Sequence, residues 1–285
     1  MSVSVCIDIG GTDIKFGVVM DCKVIKSMFY PTPKEKDGFE ELILSKTREL
    51  IVFCEKEYPR HKIKHIGIAC PGPADYKKGI IKETPNIIFA RNYNLVKLVS
   101  IFKYPIKMDN DGNCFTLANA IMNKDWQNQN LLGIVIGTGI GGGFCSNGIL
   151  YRGLGNACEI GHLRYNDEND YEEQYHKIVE KYTKELNVES LAGIANLCLK
   201  KNDQAIVAFK EIGKHIGLLC REIVLTYDPG IIVIGGKVSL SWSFIKKDLQ
   251  DTLKEKKGII YHLPQIARNT IPHANLIGAS LLNGA

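Results

Sequence analysis

The nine cysteines of this chain lack the close spacing that metal-binding and redox motifs require. They stand at positions 6, 22, 54, 70, 114, 145, 158, 198 and 220, so neither a CxxC nor a CxC pair occurs. Most of them lie within apolar stretches. Because zinc and dithiol sites depend on closely spaced cysteines, we expect buried free thiols in a reducing cytoplasm instead.

Long apolar runs are missing as well. No stretch of the sequence is apolar over the length that a helix needs to cross a bilayer. The segment Met1–Cys6 leads into a strand pattern without the basic region, apolar stretch and cleavage site of a secretion signal. We therefore predict a cytoplasmic protein with no membrane partner.

Charge of one sign is not in large excess. The 36 Lys and Arg residues against 31 Asp and Glu residues give a net charge of +5, and the charged runs are short and mixed in sign. This distribution argues against a nucleic-acid partner. The 45% hydrophobic and 24% charged residues are typical of a globular protein, and 285 residues suffice for one large or two medium domains.

The two commonest nucleotide-binding motifs do not occur. The GxxxxGK[ST] spacing is absent, and the GxGxxG stretch at residues 137–142 leads into a strand pattern rather than a helix. A P-loop and a Rossmann fingerprint are therefore excluded.

Two glycine-rich turns, each between two apolar strand patterns, are present instead. The first is Gly10-Gly11-Thr12, between Val3–Ile9 and Ile14–Val19. The second is residues 137–143, after Leu132–Ile136, and five of its seven residues are glycine. Glycines let backbone N–H groups converge on an anion, and so many would weaken a strand unless something approached the backbone closely. The pattern predicts phosphate binding at two turns of a distant duplication.

Strand and helix patterns alternate along the rest of the chain. Helices are predicted at Phe39–Cys54, Leu95–Ile101, from Cys114, at Glu173–Leu186, Ala205–Tyr227 and Leu276–Leu282, and strands at Ile63–Ala69, Ile106–Met108 and Gly230–Ile234. Alternation predicts an α/β fold, and the tight glycine turns predict mixed rather than purely parallel sheets.

The pair Asn110-Asp111 follows a predicted strand, where ligands of α/β sheets gather. Phosphoryl transfer to an alcohol needs a carboxylate that accepts the hydroxyl proton, and Asp111 is our candidate for this base. The amide of Asn110 is suited to a sugar hydroxyl. The alternative is that the pair only caps the helix ahead of Cys114.

Six segments together resemble the ROK family of sugar kinases and sugar-responsive repressors. They are CIDIGGTDIKFGVV at 6–19, NDGN at 110–113, GTGIGGG at 137–143, ACEIGH at 157–162, PGIIVIGGKVS at 229–239 and HANLIGASLL at 273–282. The resemblance covers nearly the whole chain. It implies the actin-like ATPase (ribonuclease H-like) fold, with two α/β domains around a central cleft that closes over ATP and sugar, and a homodimer. We expect domains at 1–112 and 113–272, with 273–285 packing back on the first.

The resemblance also implies a role for each motif residue. Asp111 would be the base for the sugar 6-hydroxyl, and Asn110 would bind a neighbouring hydroxyl. The other implied sugar ligands are Asn86, which would reach the third hydroxyl, and Glu159 and His162, which would hold the ring near its first and second carbons. Implied cofactor ligands are Gly10, Gly11, Thr12, Gly137, Thr138 and Gly139 for the phosphates, Asp8 for magnesium, and Gly235 and Gly236 for the nucleoside.

The chain departs from the family after the ExGH motif. Relatives usually carry CxCGxxGCxE there, and the ExGH histidine binds zinc with three cysteines, whereas this chain reads LRYNDENDYEEQYHKIVEKY from Leu163. Zinc needs about four thiolate or imidazole ligands, so we predict no structural zinc and treat His176 as a surface residue. Glu173 would be the third sugar ligand, with Glu172 as the alternative, unless Glu173 is an exposed first-turn glutamate.

These features predict an enzyme that uses ATP and Mg²⁺ to phosphorylate a hexose. A sugar-sensing regulator would carry a winged helix, and this chain starts in the first strand. An inactive sugar-binding protein would be expected to lack the base or one glycine turn. The missing zinc loop favours N-acetylmannosamine as the substrate and N-acetylmannosamine 6-phosphate as the product, and glucose or another hexose is the alternative.

Overall fold

The computed structural model describes residues 2–82, 87–155, 157–255, 260 and 262–282. The chain forms two compact units. The first consists of Met1–Gln127, Gly143–Ala157 and Ile271–Ala285, and the second of Asn128–Gly142 and Cys158–Thr270. Within the described ranges, no helix is long and apolar enough to span a membrane.

The first unit is built on a five-stranded mixed sheet. Its elements up to residue 122 are β1 (Ser2–Ile9), β2 (Asp13–Met20), β3 (Lys23–Pro31), α1 (Lys36–Glu57), β4 (Lys62–Cys70), β5 (Ala74–Asp75), β6 (Ile80–Ile81), β7 (Tyr93–Asn94), α2 (Leu95–Val99), β8 (Ile106–Asn110) and α3 (Asp111–Met122). The strand order is β3-β2-β1-β4-β8, and β5, β6 and β7 form a small separate sheet. β1 runs antiparallel to β2 and parallel to β4, so the predicted mixed sheet is confirmed.

The remaining elements lie after residue 127. They are β9 (Asn130–Ile136), β10 (Ile140–Ser146), β11 (Ile149–Tyr151), α4 (Tyr171–Glu185), α5 (Leu191–Leu199), α6 (Asp203–Tyr227), β12 (Ile231–Gly235), α7 (Trp242–Lys254), β13 (Gln265–Arg268) and α8 (Ala274–Leu281). The second sheet has the order β11-β10-β9-β12-β13. β12 is parallel to both β9 and β13, whereas β10 and β11 form an antiparallel hairpin.

The core of the first unit explains the apolar pattern of its central strand. β1 is buried from Val3 to Ile9 because it has a neighbour on each side and is covered on both faces. α1 covers the sheet with buried residues such as Phe39 and Leu50. α8 belongs to this unit and packs against α3 so closely that a Cβ on Gly278 would collide with the carbonyl of Cys114.

Close helix packing also shapes the second unit. α6 and α7 approach each other at two glycines of α6. A Cβ on Gly213 would lie 2.7 Å from the carbonyl oxygen of Ile245, and a Cβ on Gly217 would lie 2.7 Å from that of Leu249. Substitution of either glycine would therefore force the two helices apart.

α3 begins three residues earlier than the sequence pattern predicts. Its first residue is Asp111 rather than Cys114, because the side chain of Asn110 caps the helix. The first unit continues through α3 to Gln127, so the predicted domain boundary between residues 112 and 113 falls inside this helix. The segment Gly143–Ala157 also belongs to the first unit. The predicted domains, which follow sequence order, did not assign it there.

Candidate active site

The first glycine turn joins β1 to β2 and is held by its own backbone. The N–H of Gly10 donates to the carbonyl oxygen of Asp13 at 3.0 Å, and a Cβ on Gly10 would lie 2.8 Å from that same oxygen. Thr32 donates its hydroxyl to the carbonyl of Gly10 at 2.7 Å and its N–H to that of Thr12 at 2.9 Å. These bonds fix the turn and use neither the N–H of Gly11 nor that of Thr12.

Asp8 lies at the end of β1, just before this turn, and is buried. One of its carboxylate oxygens accepts from the ammonium of Lys15 at 3.1 Å, and the other accepts from the amide of Asn275 at 3.0 Å. The C-terminal segment thus contributes a donor to the candidate site. Each carboxylate oxygen has a second lone pair, so these bonds do not exhaust its capacity as an acceptor.

The segment around the candidate base is organised by Asp109, which is buried. Its Oδ1 accepts from the N–H of Asn110 and from the side-chain amide of Asn113, both at 2.8 Å. Its Oδ2 accepts from Nε of Arg152 at 2.6 Å. A charge-assisted bond of this length ties the start of α3 to the residue that follows β11, and both belong to the first unit.

Asn110 is the N-cap of α3, so the capping alternative is present in the structure. Its Oδ1 accepts from the N–H groups of Gly112 and Asn113 at 2.8 and 3.3 Å. Its Nδ2 donates to the hydroxyl of Tyr76 at 3.1 Å. An amide nitrogen carries two hydrogens, so this arrangement still leaves one donor for a ligand.

Asp111 is the first residue of α3 and is half-buried. Its Oδ1 accepts from the N–H of Gly112 at 2.9 Å. The partial positive charge at a helix N-terminus favours a carboxylate in this position. A helix cap at Asn110 and a base at Asp111 are therefore compatible, because they involve different residues of the same turn.

The second glycine turn is shorter than predicted. It consists of Gly137-Thr138-Gly139, closed by a bond from the N–H of Gly137 to the carbonyl of Gly139 at 2.9 Å. β10 begins at Ile140, so the later glycines lie in a strand. A Cβ on Gly142 would lie 2.8 Å from the carbonyl oxygen of Cys158. Packing of the protein's own backbone, and not a ligand, requires glycine at that position.

Glu172, in the first turn of α4, contacts this second turn. Its Oε2 accepts from the N–H of Ile140 at 2.5 Å. A Cβ on Gly139 would lie 2.6 Å from the same oxygen, so the glycine makes room for the carboxylate. Among the two glutamates considered from the sequence, Glu172 is the one that reaches the glycine turn.

Glu173, unlike Glu172, is bonded to the start of its own helix. It forms a capping box with Asp170, the N-cap of α4: its N–H donates to Oδ1 of Asp170 at 2.8 Å, and its Oε2 accepts from the N–H of Asp170 at 3.1 Å. Both groups thereby satisfy backbone donors of the first helical turn. The carboxylate of Glu173 is directed at its own helix start.

Glu159 is the N-cap of a short 3-10 helix, Ile160–His162, and His162 is its last residue. Burial raises the pKa of Glu159, and the charge of Glu172 raises it further while that of His162 opposes the change. The imidazole of His162 is hydrogen-bonded through Nδ1 to Oδ2 of Asp170 at 2.9 Å, and this bond is the main cause of a raised pKa of His162. The nearby charges of Glu172 and Glu159 act in the same direction.

The other predicted residues are distributed as follows. Gly235 ends β12 and Gly236 follows it with φ +76°, where a Cβ would also collide with the carbonyl of Ile136, so glycine is needed there for a backbone reason. His176 lies on α4 and is exposed. Asn86 lies outside the described residues.

Five residues described above at the site were not singled out from the sequence: Lys15, Asp109, Arg152, Asp170 and Asn275. Asp170 had a local signal, because Asp-x-x-Glu ahead of a helix is a capping-box pattern. Arg152 and Asp109 have none, since 43 residues separate them and only the fold brings them together.

Mixed sheets with glycine turns at the strand ends, as seen in both units, are features of the actin-like ATPase fold. The ROK family profile matches residues 4–284. The chain therefore belongs to the ROK family, and the predicted family and fold are confirmed.

Three relatives illustrate the similarity. An N-acetyl-D-glucosamine kinase of Haemophilus influenzae is 27% identical over 267 residues, 82% of this chain and 83% of its own length. A crystal structure of a ROK family glucokinase from Streptomyces griseus with glucose and AMPPNP superposes with a TM-score of 0.82 at 21% identity, over 98% of both chains. A candidate N-acetylmannosamine kinase from Listeria monocytogenes gives a TM-score of 0.75 at 25% identity, over 98% of this chain and 97% of that one.

Proposed function

We propose that this ROK protein is an ATP-dependent sugar kinase that phosphorylates the 6-hydroxyl of an aldohexose. The observation that carries the proposal is the position of Asp111 at the N-terminus of α3, directly after β8, beside a fixed Asn110. In the reaction, the sugar hydroxyl oxygen bonds to the γ-phosphorus of ATP while the bond to the ADP oxygen breaks. The hydroxyl proton passes to the carboxylate of Asp111, and the products are ADP and the sugar 6-phosphate.

Asp109 and Arg152 position this base. The buried Asp109 holds the backbone of Asn110 and the side chain of Asn113, one residue before and two residues after Asp111. Because both residues are held, the backbone from which the Asp111 side chain projects is fixed in place. Fixed orientation of a reacting group is a large part of the catalytic advantage of an enzyme.

The glycine turns fit the phosphates of ATP. The hydrogen bonds that close the first turn leave the N–H groups of Gly11 and Thr12 unused, and such N–H groups suit anionic oxygens. A Cβ on Gly137 in the second turn would meet no atom within 4 Å, so there is room for a ligand at that backbone. Gly10, Thr138 and Gly139 complete the two turns, and Gly235 and Gly236 stay the proposed nucleoside contacts.

Asp8 is the residue that fits Mg²⁺. It is a carboxylate at the edge of the first turn, and magnesium prefers oxygen ligands and retains several of its waters. Asp8 would hold the ion, and the ion would neutralise charge on the transferring phosphate. Lys15, bonded to Asp8, supplies a second positive charge at the same place.

The proposed sugar ligands in the second unit are Glu159, His162 and Glu172. Glu172 is preferred to Glu173 because Glu173 is engaged in the capping box, whereas the charge of Glu172 influences the pKa of both Glu159 and His162. In the first unit, Asn110 retains one amide hydrogen for a hydroxyl. Asn86 stays a prediction from the sequence.

For the substrate we propose N-acetylmannosamine, with N-acetylmannosamine 6-phosphate as the product. The missing zinc loop and the similarity to the Listeria monocytogenes protein support this choice. The Haemophilus influenzae relative favours N-acetylglucosamine as a second candidate, and glucose is the third. These sugars share the 6-hydroxyl and differ at the second carbon, where discrimination depends on the shape of the pocket. The homodimer and the cytoplasmic location stay predictions.

The test is an ADP-release assay over N-acetylmannosamine, N-acetylglucosamine, glucose, mannose and fructose, with the variant Asp111→Asn. We expect kcat to fall by about 10²- to 10⁴-fold, the usual contribution of a general base. Asp203→Asn is the matched control, because Asn202-Asp203 starts α6 with the same capped sequence and Asp203 is exposed. A full rate in Asp111→Asn would contradict the assignment of Asp111 as the base. A wild-type protein that phosphorylates none of these sugars would contradict the proposed kinase function.

A further inference from the structure

The segment from Leu163 to Asp170 stands where ROK relatives carry the zinc loop. A tetrahedral zinc site needs about four nitrogen or sulfur ligands, and residues 163–182 contain no cysteine. The described ranges hold no group of three or more His, Cys, Asp or Glu suited to a metal ion. The Nδ1 atom of His162 is already hydrogen-bonded to a carboxylate. The residues present therefore do not fit the family's zinc.

The segment closes on itself by hydrogen bonds. Arg164 and Asp170 form an antiparallel bridge, and the N–H of Tyr171 donates to the carbonyl of Leu163 at 3.1 Å. The tip is fixed by Asn166, whose Oδ1 accepts from the N–H groups of Glu168 and Asn169 at 2.9 and 2.8 Å. The turn thus returns the chain to the residue after His162, and Asp170 arrives opposite the imidazole.

The orientation of Asp170 is set by α4. One oxygen, Oδ1, caps the helix by accepting from the N–H of Glu173, and the other, Oδ2, bonds to His162. The carboxylate of Glu173 holds the N–H of Asp170 in return. A side chain fixed at one oxygen by a helix start presents its second oxygen in a defined direction.

The helix start is itself anchored in the core. Tyr171, the first residue of α4, is buried, and its carbonyl oxygen bonds to Nε2 of His215 at 2.8 Å. The rings of Tyr165 and Tyr171 pack against that imidazole with centroids 5.1 and 5.2 Å away. The turn, its cap and the core of the second unit therefore form one connected support for Asp170.

We propose that Asp170 is a positioning residue that holds the imidazole of His162 and takes the place of the zinc loop in orienting this ring toward the sugar. The proposal rests on the proposed function, in which His162 binds the sugar. Because Nδ1 bonds to Asp170, Nε2 is the remaining polar atom of the ring for a sugar hydroxyl. A carboxylate partner that fixes one ring nitrogen also determines the role of the other.

The variants Asp170→Ser and Asp170→Asn test this role. Serine and asparagine are both good N-caps, so α4 keeps its start while the carboxylate is lost. Since the ring contacts are remote from the reacting 6-hydroxyl, we expect the KM for the sugar to rise about tenfold, the lower range for loss of a partner that orients a ligand. The kcat and the KM for ATP should change little, as expected for loss of uniform binding.

Glu168→Gln is the matched control, because it removes another carboxylate of the same turn and leaves both the Asp170 carboxylate and the capping box in place; Glu168 is exposed. Its sugar KM should stay within about twofold of the wild type, since substitution of an exposed surface residue has little effect. A sugar KM that is unchanged in both Asp170 variants would overturn the proposal. An equal rise in Glu168→Gln would assign the effect to the loss of negative charge from the turn and would also overturn it.

A second readout does not require kinase activity. In ¹⁵N-histidine-labelled protein without ligand, His162 should show an Nδ1–H proton protected from exchange, and Asp170→Ser should lose it. If that signal behaves as expected and no sugar is phosphorylated, the positioning by Asp170 stands and the kinase function fails. Absence of the signal in the wild type, or one stoichiometric zinc ion per chain in purified protein, would overturn the replacement of the zinc loop.

Discussion

Asp109 in the first unit and Asp170 in the second make similar bonds in different surroundings. In each, Oδ1 accepts from a backbone N–H near a helix start and Oδ2 bonds to a basic side chain. Oδ1 of Asp109 also accepts from the side-chain amide of Asn113. The Asp109 side chain is 3% exposed and its partner Arg152 is 36% exposed. The Asp170 side chain is 21% exposed and its partner His162 is 61% exposed.

The difference in burial indicates whether each carboxylate mainly affects stability or mainly orients its partner. Removal of one partner from a buried pair leaves a charge without solvent, which costs several kcal/mol. An exposed pair is hydrated and screened, so its loss changes stability by about 1 kcal/mol or less. Asp109 should therefore matter for folding and for the base, whereas Asp170 should matter for the direction of one side chain.

The largest expected effect on stability is that of Asp109→Asn. The variant keeps the size of the side chain but leaves Arg152 without a counter-charge, and we expect the free energy of unfolding to fall by about 3 kcal/mol, at the lower end for a broken buried pair because Arg152 is partly hydrated. Urea denaturation measures the change. A loss below about 0.5 kcal/mol, the range of ordinary surface substitutions, would show that the two carboxylates do not differ as their burial indicates.

A smaller effect should appear in the pH dependence of stability. Burial lowers the pKa of His65 in the first unit and of His215 in the second, each with Nε2 bonded to a backbone carbonyl. Each ring therefore binds its proton at a lower pH in the folded protein than in the unfolded chain, where histidines titrate near pH 6.5. The unfolded state then binds more protons, so stability falls as the pH is lowered from about 6.5.

Denaturation curves from pH 8 to pH 5 for His65→Gln and His215→Gln check this prediction. Glutamine can still donate to the carbonyl and does not titrate in this range. Each variant should therefore lose stability less steeply below pH 6.5 than the wild type does. Near His215, the hydrogen bond to the carbonyl of Tyr171 and the charge of Glu211 oppose the lowered pKa, and the rings of Tyr165 and Tyr171 pack against the imidazole. Identical slopes for wild type and variants would contradict the prediction.

The smallest effect is expected for Asp170→Asn on global stability. Asparagine caps a helix as well as aspartate does, and the lost ion pair is exposed, so the free energy of unfolding should change by less than about 1 kcal/mol. The same variant should raise the sugar KM. A large loss of stability would mean that Asp170 supports the fold rather than the histidine.

Much of the first unit could be predicted from local patterns. The β1–turn–β2 hairpin follows from an apolar run, a glycine pair and a second apolar run. β3 was not predicted, because its residues are mostly half-exposed and its lysines obscure the alternation. In the second unit, α5, α7 and β13 were not predicted either. β13 has four residues, too few for a period to stand out.

In the candidate site, too, some residues could be predicted from local patterns and others could not. Asp111, Glu159 and His162 could be predicted as site residues because each belongs to a short contiguous motif. The glycine run at residues 137–143 was interpreted as one ligand-binding turn, whereas its later glycines lie in β10. A run of glycines does not reveal whether a ligand or the protein's own backbone approaches it. The sequence could not show whether Glu172 or Glu173 is the sugar ligand. Neighbouring side chains at a helix start point in different directions, and only the structure shows that the N-cap Asp170 engages Glu173.

The sequence by itself determined the family, the two glycine turns, the candidate base and the absence of the cysteines of the zinc loop, because each of these is a matter of residue type at short spacing. Only the tertiary structure decided how His162 is held and how the candidate base is supported. Asp170 reaches the imidazole across a closed turn of eight residues, and Arg152 reaches Asp109 from 43 residues away. Such pairs form because folding brings distant groups within hydrogen-bonding distance, and nothing in the local pattern of either residue specifies its partner.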